Sequence, residues 1–517
     1  MNKKIKIGTR KSLLAWAQSG QVAREIERLN PGVSVELVGI ETRGDRIQDV
    51  SLREVNGKEF FVAELDEALG SGQVDLCVHS MKDLSLDRPA AFTLAAIPRR
   101  ANPRDVVLFG PGVERKIAVG KTLKIGTSSP RRLENIPAFL RRALPRLESP
   151  DLEAKVELVE IRGNVNTRLS RVHEPEGSDR ALDGVVLAFA GLIRLWADTP
   201  GRAELTRLLE GVRWMVLPLR ECPAAPAQGA LAIECRANDA ETRAILGKLH
   251  DPETEKFVAR ERKLLADWGG GCHQAFGATC VSPNPAVGPL LFIRGRMPDG
   301  KRVDELQWAA PPEKPDVLIW DGPKWRPSGA LENEADAEAI EKIPPKGGVF
   351  IAHARAVPAG RAESMAALSG ARIWVSGTAS WERLAKKGLW VEGCAEGLGF
   401  EFLRATIEEP VLRLAAYPRD WTILTHEAAV GDWAESRVLA TYRLEACYPE
   451  AAIHALHSAR EIFWGSGSQF DELKSGVRAD ARHACGPGKT AKKLRNEGIS
   501  PFIFPSVEEW RKWTKQS

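Results

Sequence analysis

Short runs of β-branched residues alternate with segments of helical periodicity along the whole chain. Residues 5–8, 33–40 and 74–78 predict strands, and Ser12 is placed to cap the helix that follows the first of them. The apolar positions of that helix fall on one face, formed by Leu14, Val22, Ile26 and Leu29. A second helix is predicted over residues 60–69. This alternation is typical of α/β domains with largely parallel sheets.

Two sequence landmarks of the first domain return further along the chain. The string Lys-Ile-Gly-Thr ends at Thr9 and again at Thr127. A Val-Glu-Leu-Val string precedes Arg43-Gly44 and, in its second copy, Arg162-Gly163. The shared order and similar spacing predict two α/β domains of like topology. Ligands of such proteins commonly bind between the domains, at the carboxyl ends of the strands.

The sequence pattern changes twice in the second half of the chain, first to a proline-rich segment and then back to an α/β pattern. A charged helix and a strand over residues 290–296 indicate a small third domain. Residues 311–346 are rich in proline and then acidic, which favours a linker or a lightly structured bridge. An α/β pattern resumes from residue 347, with two similar turns over 377–388 and 488–498. This last region is predicted to be a separate unit with two lobes.

Composition narrows the class of function. The 517 residues include 73 Lys and Arg against 69 Asp and Glu, a net charge of +4, so no global field favours nucleic acid or an anionic membrane. Only three Tyr are present, and aromatic residues do not interleave the basic turns, so base stacking is not expected. The longest apolar run, near residues 185–193, is too short to span a bilayer. The N-terminus lacks the apolar core of a signal peptide, so we expect a cytoplasmic protein.

One cysteine stands apart from the others. The eight cysteines form no CxxC pair, which argues against a disulfide framework and a zinc ribbon. Cys272, His273 and Cys280 lack a fourth ligand, so no metal site is expected. Cys272 follows Gly269-Gly270-Gly271, a backbone without side chains that would obstruct a bulky group. It is either a point of covalent attachment or a small buried residue on a glycine turn.

Cationic and hydroxyl side chains gather at the predicted strand-to-helix turns of the first half. Free backbone N–H groups at helix starts and bidentate guanidinium groups together make carboxylate or phosphate sites. A cleft lined in this way suits a ligand with many anionic groups, and a polycarboxylate fits better than nucleic acid. The side chains at these turns are Arg10, Lys11, Ser12, Arg43, Lys82, Ser128, Ser129, Arg131, Arg132, Arg162, Arg168 and Arg194.

A single carboxylate lies beside these cations. Asp83 closes the string His79-Ser80-Met81-Lys82-Asp83, directly after a predicted strand. A fixed carboxylate in a cleft of low dielectric constant stabilises a developing cation and can hold a ring N–H. The alternative interpretation is that Asp83 caps the segment that follows.

The first half resembles the hydroxymethylbilane synthase family, also called porphobilinogen deaminase. The resemblance extends in order from residue 5 to about residue 308 and is highly specific. Its motifs are Gly8-Thr9-Arg10-Lys11-Ser12, Thr42-Arg43-Gly44-Asp45, Gly57-Lys58, Val78-His79-Ser80-Met81-Lys82-Asp83, Gly126-Thr127-Ser128-Ser129 with Arg131-Arg132, Arg162-Gly163-Asn164 with Thr167-Arg168-Leu169, Ala190-Gly191-Leu192 with Arg194-Leu195, Ala227-Gln228-Gly229-Ala230 and Gly270-Gly271-Cys272.

The resemblance implies a transferase that condenses four porphobilinogen molecules into the linear tetrapyrrole hydroxymethylbilane with release of ammonia. A dipyrromethane cofactor would be attached covalently to Cys272. Asp83 matches the aspartate that stabilises the cationic reacting pyrrole, and Arg10 and Arg162 are placed to assist proton movement. Lys82 is assigned to the catalytic residues with them. The positions matched to carboxylate binding are Arg10, Ser12, Lys82, Thr127, Ser128, Ser129, Arg131, Arg132, Arg162, Arg168 and Arg194.

The same resemblance implies a fold with defined boundaries. We expect two similar α/β domains like those of periplasmic binding proteins, a small α+β third domain, and the two-lobed α/β C-terminal region. The predicted divisions are residues 1–104 with 223–250, 105–222, 251–310, a linker over 311–346, and 347–517. The substrate would be the small molecule porphobilinogen, and the chain is expected to act as a monomer.

The C-terminal region resembles uroporphyrinogen-III synthase more weakly. Similar segments include Ser376-Gly377-Thr378-Ala379, Ala440-Thr441-Tyr442-Arg443, Trp464-Gly465-Ser466-Gly467-Ser468 and Cys485-Gly486-Pro487-Gly488-Lys489-Thr490-Ala491. The resemblance implies that this region closes the linear bilane with inversion of its last ring. It assigns Tyr442 to departure of the hydroxyl and Thr378, Ser466 and Thr490 to the cleft.

Two alternatives remain open from the sequence. The C-terminal region is inactive and only stabilises the first part, or the whole chain is a non-enzymatic protein that binds anions between two domains. A modified Cys272 separates the enzyme from the binding protein, because a binding protein has no use for the modification.

Overall fold

The chain divides into two units. The N-terminal unit comprises Met1–Arg141, Ala154–Cys280 and Leu291–Leu306, and the C-terminal unit comprises Arg142–Glu153, Val281–Leu290 and Gln307–Ser517. The computed structural model describes residues 3–42, 62–269, 274–313, 316, 318–322, 330–358, 360–433, 436–444 and 448–515.

Strands and helices alternate through the first 307 residues. The strands are β1 (Lys3–Arg10), β2 (Val33–Ile40), β3 (Leu76–Ser80), β4 (Phe92–Ala96), β5 (Asp105–Phe109), β6 (Leu123–Thr127), β7 (Val156–Glu160), β8 (Gly184–Ala188), β9 (Arg213–Val216), β10 (Leu231–Arg236), β11 (Ala275–Val281), β12 (Leu290–Arg296) and β13 (Arg302–Gln307). The helices are α1 (Leu13–Leu29), α2 (Ala63–Gly70), α3 (Val113–Ala118), α4 (Pro130–Ala143), α5 (Val165–Ser170), α6 (Phe189–Ala197), α7 (Thr199–Leu208), α8 (Ala240–Gly247) and α9 (Pro252–Asp267).

The first helix forms as its sequence predicts. The Ser12 hydroxyl accepts a hydrogen bond from the Ala15 N–H at 3.3 Å, which satisfies one of the free donors at the start of α1. Val22 and Ile26 lie buried on the face that packs on the first sheet, while Leu14 and Leu29 lie at the margins of that face. Capping and periodicity therefore suffice to specify this element.

Two five-stranded sheets of the N-terminal unit share one topology. Their orders are β2-β1-β3-β10-β4 and β7-β6-β8-β5-β9. In each sheet three neighbouring strands run parallel and the fourth, β10 or β5, is antiparallel. The prediction of two like α/β folds from the repeated strings is confirmed. Strands β1 to β4 belong to the first sheet, β5 to β9 belong to the second, and β10 returns to the first. The chain therefore crosses between the sheets over residues 97–104 and again over residues 217–230.

A buried glutamate ties both crossing segments to a helix. Glu261 of α9 is fully buried and accepts hydrogen bonds from the Arg100 guanidinium at 2.6 Å and from the Ala227 N–H at 2.6 Å. Its carboxylate also accepts from the Cys280 N–H at 2.6 Å, at the end of β11. A buried charge is tolerated only when it is paired and hydrogen-bonded in this way. Glu261 therefore fixes the crossing segments relative to the three-stranded sheet β11-β12-β13.

The C-terminal unit contains two further sheets. Its strands are β14 (Ile319–Asp321), β15 (Ala330–Glu332), β16 (Gly348–Ile351), β17 (Arg372–Val375), β18 (Val391–Cys394), β19 (Trp421–His426), β20 (Arg437–Leu444), β21 (Glu461–Trp464), β22 (Arg482–Cys485) and β23 (Phe502–Ile503). Its helices are α10 (Glu334–Ala339), α11 (Ala362–Gly370), α12 (Thr378–Lys386), α13 (Phe400–Ile407), α14 (Glu450–Ser458), α15 (Gly467–Leu473), α16 (Lys489–Asn496) and α17 (Val507–Thr514).

Part of the proline-rich segment belongs to these sheets. The orders are β15-β20-β19-β16-β17-β18 and β14-β21-β22-β23. Strand β14 pairs parallel to β21 and β15 pairs antiparallel to β20, although both lie within residues 311–346, which we interpreted as a linker. That interpretation is corrected here, because Trp320 of β14 is buried and pairs its backbone in the sheet. The prolines in this segment predict a loop, but β14 and β15 form because each pairs with a strand that is distant in sequence.

None of the helices in the described part of the chain combines the length and the apolar character that crossing a bilayer requires.

Candidate functional site

The predicted cationic residues lie where the parallel strands of the N-terminal unit end. Arg10 ends β1, and Lys82 and Asp83 form a short turn after β3. Arg162 follows β7, and Arg168 lies on the helix α5 that comes next. Because the carboxyl ends of parallel strands share one edge of a sheet, these residues line corresponding edges of the two sheets. The site is thus built from strand-to-helix turns, as expected.

Asp105 holds two of the predicted arginines. This carboxylate is fully buried at the start of β5 and accepts from Arg131 Nη1 at 2.7 Å and from Arg132 Nη2 at 2.7 Å. Burial alone would raise the pKa of Asp105, but Arg131 and Arg132 hold it below its usual range. The guanidinium groups also donate to backbone carbonyls, Arg131 to Pro223 and Arg132 to Val186. Both arginines are therefore fixed in place by the fold itself.

Gln228 joins this network to the turn that carries Asp83. Its Nε2 donates to Asp105 Oδ1 at 2.8 Å and to the Pro103 carbonyl at 2.7 Å, and its Oε1 accepts from Lys82 Nζ at 3.3 Å. Lys82 lies in the turn that follows β3 of the first sheet, and Asp105 begins β5 of the second sheet. A single amide side chain therefore connects the two sheets at the level of the predicted site.

Lys82 and Arg168 both interact electrostatically with Asp83. Burial is the largest cause that lowers the pKa of Arg168 to about 10; the neighbouring cations Arg132 and Arg162 act in the same direction, and Asp83 opposes them. Burial likewise lowers the pKa of Lys82, against the influence of Asp83. The Asp83 side chain is exposed, so a ligand can reach it. In this cluster the cations outnumber the carboxylates, which favours an anionic ligand.

Arg194 is a buried cation without a carboxylate partner among the described residues. Its Nη2 donates to the Gly229 carbonyl at 2.6 Å, and burial lowers its pKa to about 10. The buried Nε–H groups of Arg194 and Arg131 have no hydrogen-bond partner in the described part of the chain. An unsatisfied buried donor is costly, so these atoms call for acceptors that the protein does not supply. A polycarboxylate would supply them, and the residues present therefore fit such a group.

The hydroxyl residues play mixed roles. Thr127 is buried at the end of β6, and its Oγ1 accepts from the Ser129 N–H at 3.3 Å. The Ser12 hydroxyl caps α1, while Ser128 and Ser129 lie half-buried at the start of α4. These residues order the turns that present the arginines, and the two half-buried serines remain accessible to a ligand.

Some predicted residues lie outside the described residues. Cys272, with its glycine neighbours Gly270 and Gly271, is one of them, and so are Arg43-Gly44-Asp45 and Gly57-Lys58. Cys280 is described, and it is buried in β11, where burial raises the pKa of its thiol to about 12. The neutral thiol of Cys280 is consistent with a structural role.

The residues that organise the site were not identified from the sequence. Asp105 occurs in an ordinary strand pattern, and Glu261 occurs on a charged helix. Gln228 is part of the motif Ala227-Gln228-Gly229-Ala230, but no role followed from that motif. The only local signal was the Arg104-Asp105 pair at the start of a strand that is otherwise apolar and fully buried, where a charged residue requires a partner.

Three of the predicted site residues of the C-terminal unit lie at helix starts, and the fourth lies in a buried strand. Thr378 and Thr490 lie in the first turns of α12 and α16, and the Ser466 hydroxyl caps α15 by accepting from the Gln469 N–H at 3.2 Å. Tyr442 is buried in β20, with its ring centroid 5.8 Å from that of His426. The loops that carry Thr378 and Thr490 both follow parallel strands, β17 and β22.

We expect Asp105→Asn to lower the free energy of unfolding of the N-terminal unit by about 3 kcal/mol at pH 7, because it leaves two buried guanidinium groups without a counter-ion. The folded pKa of Asp105 lies below the unfolded value, so the wild-type advantage is full above about pH 4 and shrinks as the pH falls further. Urea unfolding at pH 7 and pH 3 measures both effects. Asp179→Asn, at an exposed position, is the matched control, and equal stability of the two variants at pH 7 would contradict the assignment.

The matching family model and the similar curated proteins carry the same family name. Residues 5–244 match the family model described as porphobilinogen deaminase, dipyromethane cofactor binding domain. The porphobilinogen deaminase of Syntrophobacter fumaroxidans is 40% identical over 276 residues, which cover 53% of this chain and 78% of that protein. Porphobilinogen deaminase 1 of Streptomyces avermitilis is 42% identical over 347 residues, 65% of this chain and 95% of that protein.

Likeness to solved structures is weaker. The effector binding domain of BenM with its effector benzoate has a TM-score of 0.25 at 17% identity, covering 52% of this chain and 96% of that chain. The methionine binding protein MetQ has a TM-score of 0.26 at 12% identity, covering 50% and 94%. Fold and family therefore rest on the topology described above and on the sequence relatives. This chain belongs to the porphobilinogen deaminase family.

Proposed function

We propose that the N-terminal unit is a hydroxymethylbilane synthase that joins porphobilinogen units head to tail and releases ammonia at each addition. The observation that carries this proposal is the interaction of Lys82 and Arg168 with the exposed carboxylate of Asp83, in a cluster where Arg132 and Arg162 add further positive charge beside Arg168. The chemistry needs both parts, since the substrate carries carboxylates and becomes cationic when ammonia leaves.

The arginines bind and orient carboxylate groups. Arg194 and Arg131 each offer a buried Nε–H that has no partner among the described residues, and a cofactor or substrate carboxylate would accept from it. Arg10, Ser12, Thr127, Ser128 and Ser129 extend this surface at the neighbouring strand ends. Because Asp105 already fixes Arg131 and Arg132, little ordering entropy is lost when a ligand binds to them.

Asp83 acts on the reacting pyrrole. Loss of ammonia from the aminomethyl group leaves a positive charge that is shared with the ring nitrogen, and a nearby carboxylate lowers the energy of that cation. The same carboxylate accepts the ring N–H and so orients the pyrrole. Arg10 and Arg162 are the groups proposed to assist proton movement. Lys82, held by Gln228, balances the charge of Asp83 before substrate arrives.

Cys272 is the proposed attachment point of the dipyrromethane cofactor through a thioether. The cofactor supplies the terminal pyrrole carbon to which the first substrate unit is joined. The ring of Trp268, at the end of α9, packs on Phe276 of β11 with centroids 4.7 Å apart.

Asp83→Ala should reduce porphobilinogen consumption by at least about 100-fold, because one preorganised charge on the developing cation is lost. The variant should still fold and carry the cofactor, since the Asp83 side chain is exposed. Consumption is followed colorimetrically, and attachment by intact mass.

Asp87→Ala, at an exposed position four residues later, is the control and should retain wild-type turnover. Normal hydroxymethylbilane formation by the Asp83→Ala variant would contradict the catalytic role proposed for this carboxylate. An inactive wild-type chain that binds polycarboxylates without modification would favour the anion-binding alternative.

We further propose that the C-terminal unit closes the bilane to uroporphyrinogen III. In support, its two sheets present Thr378 and Thr490 in the first turns of helices that follow parallel strands, the usual location of ligand sites in α/β folds. Fusion of consecutive steps suits an intermediate that cyclises spontaneously if it is released. The alternative is an inactive, structural C-terminal unit.

Tyr442→Phe should reduce the fraction of product with the inverted ring by at least about tenfold while porphobilinogen consumption stays unchanged, because the hydroxyl assigned to assist the leaving group is removed. Chromatography of the oxidised porphyrin isomers measures the fraction. Tyr448→Phe removes a hydroxyl that donates to Glu472 at 2.9 Å and serves as the matched control. If the wild-type chain makes only the isomer without inversion, the C-terminal unit is inactive.

A further inference from the structure

The turn that carries Asp83 is held by a side chain from another element. Arg262 of α9 donates from Nη1 to the carbonyl oxygens of Met81 at 3.0 Å and Leu84 at 3.1 Å. Its Nη2 donates to the carbonyl oxygen of Ser85 at 2.9 Å. One guanidinium group therefore binds carbonyls on both sides of Asp83. Hydrogen bonds from an ionised donor are roughly twice as strong as neutral ones, so these contacts are a strong restraint on a short turn.

The backbone of the turn supplies weaker restraints. Met81–Asp83 forms a 3₁₀ turn, in which the Leu84 N–H donates to the Met81 carbonyl at 3.3 Å. The Met81 N–H donates to the Ala230 carbonyl at 3.1 Å, which anchors the start of the turn. Short 3₁₀ segments have poor hydrogen-bond geometry. The position of Asp83 therefore depends on what lies against the turn.

Helix α9 is a fixed support for the contact with Arg262. Val258, one turn earlier on the helix, belongs with Met81 and Leu84 to one buried apolar cluster. Glu261, the residue next to Arg262, is fully buried and accepts the hydrogen bonds that tie α9 to both crossing segments. A side chain on a rigid element positions its partner more precisely than a side chain on a loop. Arg262 therefore gives the turn a fixed position relative to α9.

The same helix leads to the proposed attachment point of the cofactor. Helix α9 ends at Asp267, five residues before Cys272 in the sequence. Arg262 thus ties the turn of Asp83 to the element that precedes this cysteine. Stabilisation of a developing cation requires the carboxylate to keep its place relative to the reacting pyrrole, and a displacement of about 1 Å can cost roughly 100-fold in rate.

We propose that Arg262 is a positioning residue that holds the Asp83 carboxylate in its productive place during the condensation. The inference rests on the proposed function, because Arg262 acts through the role proposed for Asp83. Its hydrogen bonds to the turn go to backbone carbonyls, so it acts on the turn and not on the substrate. Loss of Arg262 should therefore slow the condensation and leave the binding of substrate carboxylates to the arginines at the strand ends.

The test compares Arg262→Met with the wild-type full chain by steady-state porphobilinogen consumption, expressed per chain that carries the modification by intact mass. The kcat should fall at least about tenfold while KM changes less than about threefold, because the turn loses its donor and the carboxylate-binding groups stay in place. Arg262→Lys should give an intermediate kcat, since an ammonium donates to the same carbonyls but lacks the planar fork of a guanidinium.

Lys263→Met is the matched control. It removes one positive charge from the next position of the same helix, where the side chain is exposed, and it should keep the wild-type kcat.

A double-mutant cycle separates positioning from a general structural role. If Arg262 acts through Asp83, Arg262→Met should lower the residual turnover of Asp83→Ala by less than about twofold, because the group that it positions is already absent. Residual turnover is measured at an enzyme concentration comparable with that of the substrate. A variant that only loosens the fold would lower turnover by the same factor in both backgrounds.

A wild-type kcat in Arg262→Met would overturn the proposal, and so would an equal fractional loss of turnover in both backgrounds. An Arg262→Met chain that lacks the modification would assign Arg262 to cofactor attachment instead. If Arg262→Met does not fold, Arg262→Lys takes its place in the same cycle. Wild-type turnover in Asp83→Ala contradicts the role of Asp83, whereas wild-type turnover in Arg262→Met alone contradicts only the role of Arg262, so the two proposals fail separately.

Discussion

The buried carboxylate of Asp105 is the constraint on which the N-terminal site depends. It neutralises two guanidinium groups in the interior and is hydrogen-bonded to the amide of Gln228, which in turn holds Lys82. Without it, Arg131 and Arg132 would be unpaired charges in a medium where such charges are not tolerated. One carboxylate thus allows several cations to be concentrated at the edge of two sheets. The positive charge that Asp105 does not neutralise favours an anionic ligand.

The fold repeats one topology, so that cations lie at the strand ends of both five-stranded sheets. In both five-stranded sheets, the turns after the parallel strands carry cations. The antiparallel strand β10 comes after the other strands of the first sheet in the chain, whereas β5 comes before the other strands of the second. The chain therefore crosses twice, and Glu261 clamps both crossings through Arg100 and Ala227. Asp83 can lie exposed in its turn because the surrounding network, rather than its own contacts, sets its position.

Local features of the sequence were sufficient wherever short-range physics decides the structure. The bounds of the strands at 33–40 and 290–296 and the cap at Ser12 follow from β-branched runs and from one hydroxyl before a helix. The duplicated strings predicted the duplicated topology. The assignment of a linker over residues 311–346 missed β14 and β15, because each has three residues and pairs with a strand more than one hundred positions away. The roles of Asp105, Gln228 and Glu261 were not predicted for the same reason, because their hydrogen-bond partners are distant in sequence. The roles of Cys272 and Asp83 come from the family resemblance and remain proposals.

Attachment of a two-pyrrole group at Cys272 is the central claim, because the condensation needs a fixed starting point within the cluster around Asp83. The most direct test is the intact mass of the purified full chain compared with that of Cys272→Ser. The account predicts an added mass equal to two linked pyrrole units in the wild-type protein, absent from the variant together with porphobilinogen consumption. An unmodified wild-type chain, or a modification that survives Cys272→Ser, would contradict it.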